Sequence, residues 1–339
     1  MADALLSPAV GGVMTAVSAV AIGYAVKKIA GDKLDEKKIP MMGVMGAFVF
    51  AGQMINFTIP GTGSSGHIGG GILLAALLGP FPALLTLASV LLIQCLFFAD
   101  GGLLAYGCNV FNMGITACFL AYHLIFKPLV KKGINEKTLT IASIAAVLIG
   151  LQVGAFSVVL ETLLSGVTEL PFGAFILLMQ PIHLAIGLVE GIVTAAVLCY
   201  VHRVRPELLD STVEGAKIPT AVPMKTILIS FLVLTVIVGG VLSIFASAYP
   251  DGLEWSMEGV AGTTELEREG PVYDAVNSVV ETTAFMPDYG FAHDAEGSAL
   301  GTAAAGIIGS IITVLLAGGI GFIIHRVRTY RVRERNAAA

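Results

Sequence analysis

The stretch of this sequence best suited to holding a ligand is Ile59-Pro60-Gly61-Thr62-Gly63-Ser64-Ser65-Gly66-His67-Ile68-Gly69-Gly70-Gly71. Its glycines let backbone amides and carbonyls come close to a bound group. Its one imidazole, His67, is a borderline ligand suited to nickel, copper or zinc. A loop histidine can equally be structural or merely solvated, and it is the density of glycine between apolar runs that points toward binding. Polar residues recur inside those runs, where each is costly unless it lines a cavity or meets a partner. Gln53 and Asn56 lie three apart at the end of one apolar run, Gln94 and Asp100 lie near the end of the Phe81–Phe98 run, and Asn109 and Asn112 fall on one helical face. Together with Ser65 they could form a shell that orients a metal ligand or its loop, or they could be hydrogen-bonding glue between helices. Gln180, His183 and Glu190 are spaced by three and seven on one stripe, and Glu161 lies in the run before them. Such groups serve a proton relay or a buried packing network. His123, His202 and His325 sit near helix ends, where interaction with a helix C-terminus accounts for them. His293 stands alone in an acidic stretch.

The elements that must position these groups follow from composition. The 339 residues are 56% hydrophobic and 13% charged, with a mean hydropathy of +0.87. A water-soluble domain carries roughly 25% charged residues, and a disordered chain needs low hydrophobicity. Both classes are excluded, and a polytopic membrane protein remains. Spans of about 20 apolar residues occur at Pro8–Ile29, Met41–Phe57, Phe81–Phe98, Leu103–Phe126, Leu139–Leu164, Ala174–Val201, Met224–Ala248 and Leu300–Ile324. Gly69–Leu78 is too short to cross alone and reads as a short helix ending in the Gly79-Pro80-Phe81-Pro82 turn. No basic stretch opens the first segment, so it is expected to stay in the mature protein.

Charge placement sets the expected orientation, because Lys and Arg flank spans on the cytoplasmic side. With the N-terminus outside and the short segment counted as a crossing, all of the 19 Lys and Arg residues except Arg268 fall inside. Without that crossing the separation collapses. The sequence therefore predicts an all-α polytopic fold in the cell membrane, with a seven-helix body (residues 1–203) and a cytoplasmic C-terminus. A cytoplasmic linker (204–223) with Pro206, Pro219 and Pro223 leads to a two-helix appendage (224–339) whose acidic lobe, 249–299, is expected outside. Cys95, Cys108, Cys118 and Cys199 lie in apolar runs without a CxxC pair and read as core residues. The net charge of -5 argues against nucleic acid as a partner. There is no GxxxxGK[ST] loop, HExxH pair or GxSxG elbow, so no enzyme is expected and ATP would have to be handled by another subunit.

The run from Gly43 to Phe57 (GVMGAFVFAGQMINF), the loop Ser65-Gly66-His67-Ile68-Gly69-Gly70, the sequence Phe98-Ala99-Asp100-Gly101-Gly102 and the later Asn109-Val110-Phe111-Asn112-Met113-Gly114 resemble the CbiM/NikM family. These are nickel- or cobalt-specific substrate-binding components of energy-coupling-factor (ECF) ABC transporters. The stretch from His183 to Gly191 looks like that family's last helix. Pro250-Asp251-Gly252-Leu253-Glu254 and Met286-Pro287-Asp288-Tyr289 resemble the PDGLE accessory component, here fused to the first. The resemblance implies capture of Ni²⁺ or Co²⁺ as transported substrate, with no permanent cofactor. It also implies two partners, a transmembrane coupling protein and a separate ABC ATPase, with the fused segment tilting the expectation toward nickel. It implies a metal site made from the N-terminal amine, the backbone nitrogen and imidazole of a second-position histidine, and the loop histidine, which is His67 here. This chain reads Met1-Ala2-Asp3. The expectation is a true start a residue or two upstream that encodes Met-His ahead of Met1; the alternative is a degenerate site, with the Met1 amine as ligand beside His67 if the chain starts there. The competing reading is a proton- or sodium-driven secondary transporter using Glu161, His183 and Glu190; a membrane assembly subunit without transport is a third.

Overall fold

The computed structural model describes residues 1–31, 35–291 and 299–337, and Lys33 and His293 lie outside them. The long helices are α1 (Pro8–Gly31), α4 (Pro80–Phe98), α5 (Tyr106–Val130), α6 (Glu136–Leu164), α7 (Phe172–Val204), α9 (Met224–Gly240, continued by a turn to Phe245) and α12 (Ala299–Ala337). Among the described residues these seven are long and apolar enough to cross a membrane. Large apolar side chains such as Leu124, Leu177, Val233 and Leu315 point outward from them. So much outward apolar surface is stable only in lipid, and the chain is a multi-pass membrane protein.

The second expected span is shorter than its hydropathy suggests. α2 (Lys38–Gln53) has 16 residues, about 24 Å against a hydrocarbon core of about 30 Å. It works at that length because protein sheathes it: α4, α9 and α12 all pack on it, and nearly all its residues are buried. The C-terminal helices are therefore not a loose appendage. Gly306 of α12 shows how close they come, since a Cβ there would stand 2.2 Å from the Gly239 carbonyl oxygen of α9.

After α2 the chain does not become helical again at once. Pro60-Gly61-Thr62-Gly63 makes a turn, with Gly61 and Gly63 at positive φ, between strands β1 (Phe57–Ile59) and β2 (Ser64–Gly66), paired Phe57 to Gly66 and Ile59 to Ser64. His67 follows, and then the eight-residue α3 (Gly71–Leu78). Hairpin, loop and α3 together return the chain from the far end of α2 to its Lys38 end: Lys38 Nζ donates to the Leu78 carbonyl at 3.1 Å. The short segment thus completes a passage that its own length of about 12 Å could not make.

α5 contains a long π-helical stretch, Val110–Phe126, in which hydrogen bonds run i→i+5. Three shorter helices were not legible as separate elements: α8 (Pro206–Glu214), α10 (Gly252–Ala261) and α11 (Pro271–Thr283). α8 lies in the expected linker and docks on α3, its Thr212 Oγ1 donating to the Leu77 carbonyl at 3.0 Å. The acidic segment folds over the loop end of the bundle rather than standing clear of it. Tyr273 Oη donates to the Leu6 carbonyl at 2.7 Å, and Trp255 Nε1 to that of Thr62 at 2.9 Å.

Candidate metal centre

The His67 loop is held from both sides. Glu190, buried in the middle of α7, accepts the Gly70 amide on Oε1 at 2.9 Å. A carboxylate at the first turn of α3 meets the positive end of that helix. On the other side Gln53 Nε2 donates to the Gly69 carbonyl at 3.1 Å, and Gln94 Nε2 donates to Gln53 Oε1 at 3.0 Å. Gly70 takes φ +76°, a left-handed conformation that costs a side chain dearly, and a Cβ there would strike Val49. These contacts hold the loop in place on both sides.

Beside it lies a cavity of about 140 Å³ whose walls include Met1, His67, Asn109, Asn112, His183 and Glu190. The N-terminal tail reaches this cavity because it is tied down twice. Asp3 Oδ1 accepts the Ala105 amide at 2.8 Å, and Asn109 Nδ2 donates to the Met1 carbonyl at 3.2 Å. Burial holds the Asp3 carboxyl above its usual pKa, with the Ala105, Leu104 and Leu103 amides pulling the other way. Asn112 Nδ2 donates to Glu161 Oε2 at 2.8 Å, which joins α5 to α6 at the cavity wall. Among the described residues, no three His, Cys, Asp or Glu side chains converge as a ligand cluster. A cation here would need backbone or terminal nitrogen, or water, to complete its shell.

The family described as "CbiM: Cobalt uptake substrate-specific transmembrane region" matches residues 1–208, and "PDGLE domain" matches 225–326. The chain belongs to the CbiM family. Within it, a putative fused nickel transport protein NikMN of Archaeoglobus fulgidus is 33% identical over 96% of this chain and 97% of its own length. A probable fused nickel transport protein LarMN of Lactiplantibacillus plantarum is 35% identical over 62% of this chain and 66% of its own. A crystal structure of a transition metal transporter superposes with a TM-score of 0.53 at 31% identity, covering 61% of this chain and 94% of that one.

Several residues singled out in the CbiM-like region turn away from the cavity toward the PDGLE segment. Ser65 Oγ donates to the Tyr249 carbonyl at 2.8 Å, and the Ser65 amide donates to that of Pro250 at 2.8 Å. The Asn56 carbonyl accepts the Ser247 amide at 2.7 Å. Asp100 accepts the Tyr289 hydroxyl, whose ring stacks on Phe98; burial and the Asp100 charge push that phenol well above its usual pKa. The structure therefore gathers His67, Met1, Gln53, Asn109 and Asn112 at or around the cavity and uses Asn56, Ser65 and Asp100 to seat the C-terminal segment. Asp251 and Glu254 form a reciprocal capping box at the start of α10, and Asp251, Gly252 and Leu253 close one wall of the cavity. That wall was missed in the sequence, where the two regions lie some 180 residues apart. The signal for Glu190 was present, since a carboxylate in the middle of an apolar run demands a partner.

Proposed function

We propose that this chain captures Ni²⁺ or Co²⁺ and serves as the substrate-specific membrane subunit of an ECF-type ABC importer. The observation that carries this reading is the clamped His67 loop beside a cavity that the N-terminal tail also reaches. A nitrogen-rich site of this kind suits a late divalent transition metal better than Mg²⁺ or Ca²⁺, which take oxygen ligands. His67 supplies an imidazole. The Met1 amine supplies a second nitrogen where the chain begins at that residue, and an upstream residue takes that place where it does not. Gln53, through Gly69, and Asn109, through Met1, orient these donors, and Asn112 shapes the wall. Nickel is the favoured cargo, because the fused relatives from A. fulgidus and L. plantarum bear the name of nickel transport proteins.

With the N-terminus outside and the C-terminus cytoplasmic, the cavity opens to the outer side, and the basic segments Lys27–Lys38, Lys127–Lys137 and Arg203–Lys225 face the cytoplasm. Those segments are where a transmembrane coupling protein and an ABC ATPase dock. The chain carries no P-loop motif and takes its energy from that ATPase. Calorimetry with the purified chain and Ni²⁺ tests capture. Proteoliposome uptake with and without the coupling protein and ATPase tests energisation: binding is expected from the chain alone, uptake only with both partners. Ion-gradient-driven uptake by the chain alone would overturn the ECF assignment.

A further inference from the structure

Glu190 clamps the His67 loop and Asp3 ties down the N-terminal tail; a third buried carboxyl, that of Glu161, belongs to neither device. It lies near the end of α6 and is 4% exposed. An ionisable group at such depth is costly unless it is paired. Among the described residues, no ion pair reaches it. Its hydrogen-bond partner is Asn112 of α5, whose Nδ2 donates to Glu161 Oε2 at 2.8 Å. Asn112 lines the cavity, and Glu161 stands behind it.

The other two oxygens of this pair are orphans. Glu161 Oε1 and Asn112 Oδ1 are both shut off from solvent, and neither has a hydrogen-bond partner among the described residues. Both are acceptors, and a buried acceptor left without a donor is destabilising and calls for a cause. An ionised carboxylate brings no hydrogen of its own, whereas a protonated one has an O–H to give. A carboxylic acid and a carboxamide set side by side make two hydrogen bonds, N–H to oxygen and O–H to oxygen, and the first of these is in place. One proton on Oε1, donated to Asn112 Oδ1, satisfies both orphaned oxygens and removes the buried charge. The titratable groups facing Glu161 are the Cys108 thiol of α5 and, where the chain begins at Met1, the terminal amine of the tail packed on α6. The thiol is a weak donor and leaves Oε1 without a bond. The orphaned oxygens call for their proton wherever the chain begins.

We propose that Glu161 and Asn112 form a proton site in the wall of the cavity, filled while the cavity is empty and emptied by the arriving divalent cation. The second half of this rests on the metal-capture reading. A cation in the cavity faces Asn112, and across a medium of low dielectric its double charge favours the ionised form of a carboxyl one side chain away. The O–H bond of Glu161 then breaks, the electron pair stays on the carboxylate, and the proton leaves through the cavity to water. Asn112 Nδ2 holds Oε2 in both states. The wall is neutral while empty, so it offers no standing carboxylate to a hard cation such as Mg²⁺ or Ca²⁺, and it gains its countercharge only once the cargo is seated.

The test uses the full chain in detergent with Ni²⁺ itself. The infrared spectrum of the metal-free wild type at neutral pH is expected to contain the C=O stretch of a protonated carboxyl group that Glu161→Gln lacks. The glutamine amide takes the proton's place against Asn112 Oδ1, so the melting temperature should hold. Nickel should remove the same band from the wild type. In weakly buffered solution the wild type should release about one proton more per nickel than Glu161→Gln, so that its affinity rises about tenfold more per pH unit. Both chains share one N-terminus, which cancels from that difference. The proposal is overturned, while capture stands, if the metal-free spectra of the two chains agree in the carboxyl region, or if the band survives nickel and the proton counts are equal. If the wild type binds neither Ni²⁺ nor Co²⁺, capture falls and the release of the proton with it, and the metal-free band still decides whether Glu161 is protonated. Should Glu161→Gln fail to fold, loss of the band on adding nickel to the wild type decides alone.

Discussion

Replacing Glu190 with alanine strips the His67 loop of its anchor on α7. Glu190 is 4% exposed and accepts the amide of the buried Gly70. Without it that buried donor goes unpaired, at about 1–3 kcal/mol. The seated loop thus loses about 1–3 kcal/mol relative to a released one, offset where water reaches the amide. If about 2.8 kcal/mol of that difference shifts the loop away from its binding conformation, nickel affinity falls about 100-fold. Glu190→Gln keeps a neutral acceptor for one amide and should lose about tenfold or less. Calorimetry with Ni²⁺ reads the affinity, and amide hydrogen exchange across residues 66–78 reads the loop, which should exchange faster in the alanine variant. The reasoning is refuted if Glu190→Ala binds nickel within twofold of wild type and protects the loop equally. A proton relay through Glu190 predicts a different pattern, in which both variants stop uptake and neither changes binding.

Four further outcomes are expected. His67→Ala abolishes high-affinity nickel binding while leaving membrane insertion and the melting temperature intact, as calorimetry and thermal unfolding will show. Gly306→Ala forces α9 and α12 apart, where a Cβ would stand 2.2 Å from the Gly239 carbonyl oxygen, and costs about 1–3 kcal/mol, read as a lower melting temperature in detergent. Tyr289→Phe leaves Asp100 without its hydroxyl partner and weakens the seating of the C-terminal segment by about 1.5–3 kcal/mol, detectable as faster proteolysis between α11 and α12. Removing residues 224–339 takes away the Asp251–Leu253 wall and the sheath of α2, so uptake by the assembled transporter slows sharply; equilibrium nickel affinity in whatever fraction stays folded changes less than tenfold, since His67 and Met1 lie in the part that remains.

The long helices were legible because hydropathy alone specifies a span. Gly71–Leu78 was legible for the same reason, through its apolar run and the Gly79-Pro80 stop. The hairpin was not, because strands of three residues carry no period to read and their pairing is set by what packs on them. Asp100 and Ser65 illustrate the main difficulty. Both stand in motifs beside the His67 loop, and local spacing cannot say whether a polar group faces a cavity or a second segment such as Tyr249–Pro250. Asp3 is the converse case: nothing near it in sequence marks it as the tie between the N-terminal tail and Ala105, a contact spanning 102 positions. His183 was visible as a polar residue on a stripe, but that it shares a cavity wall with His67 is set by the packing of the folded chain.

The sheathing of α2 bears on how the protein is made. Ribosomes deliver α2 well before α9 and α12, yet α2 is closed in by both. Until α12 has been inserted, one side of a helix too short to match the bilayer is left to lipid, or to whatever insertion machinery attends it. Closure of α2 therefore waits for α12, and a chain stopped before α12 leaves that side of α2 uncovered. Joining both parts in one chain also fixes their ratio at one to one and makes the late closure an intramolecular step, driven by a local concentration in the millimolar range rather than by chance encounter in the membrane.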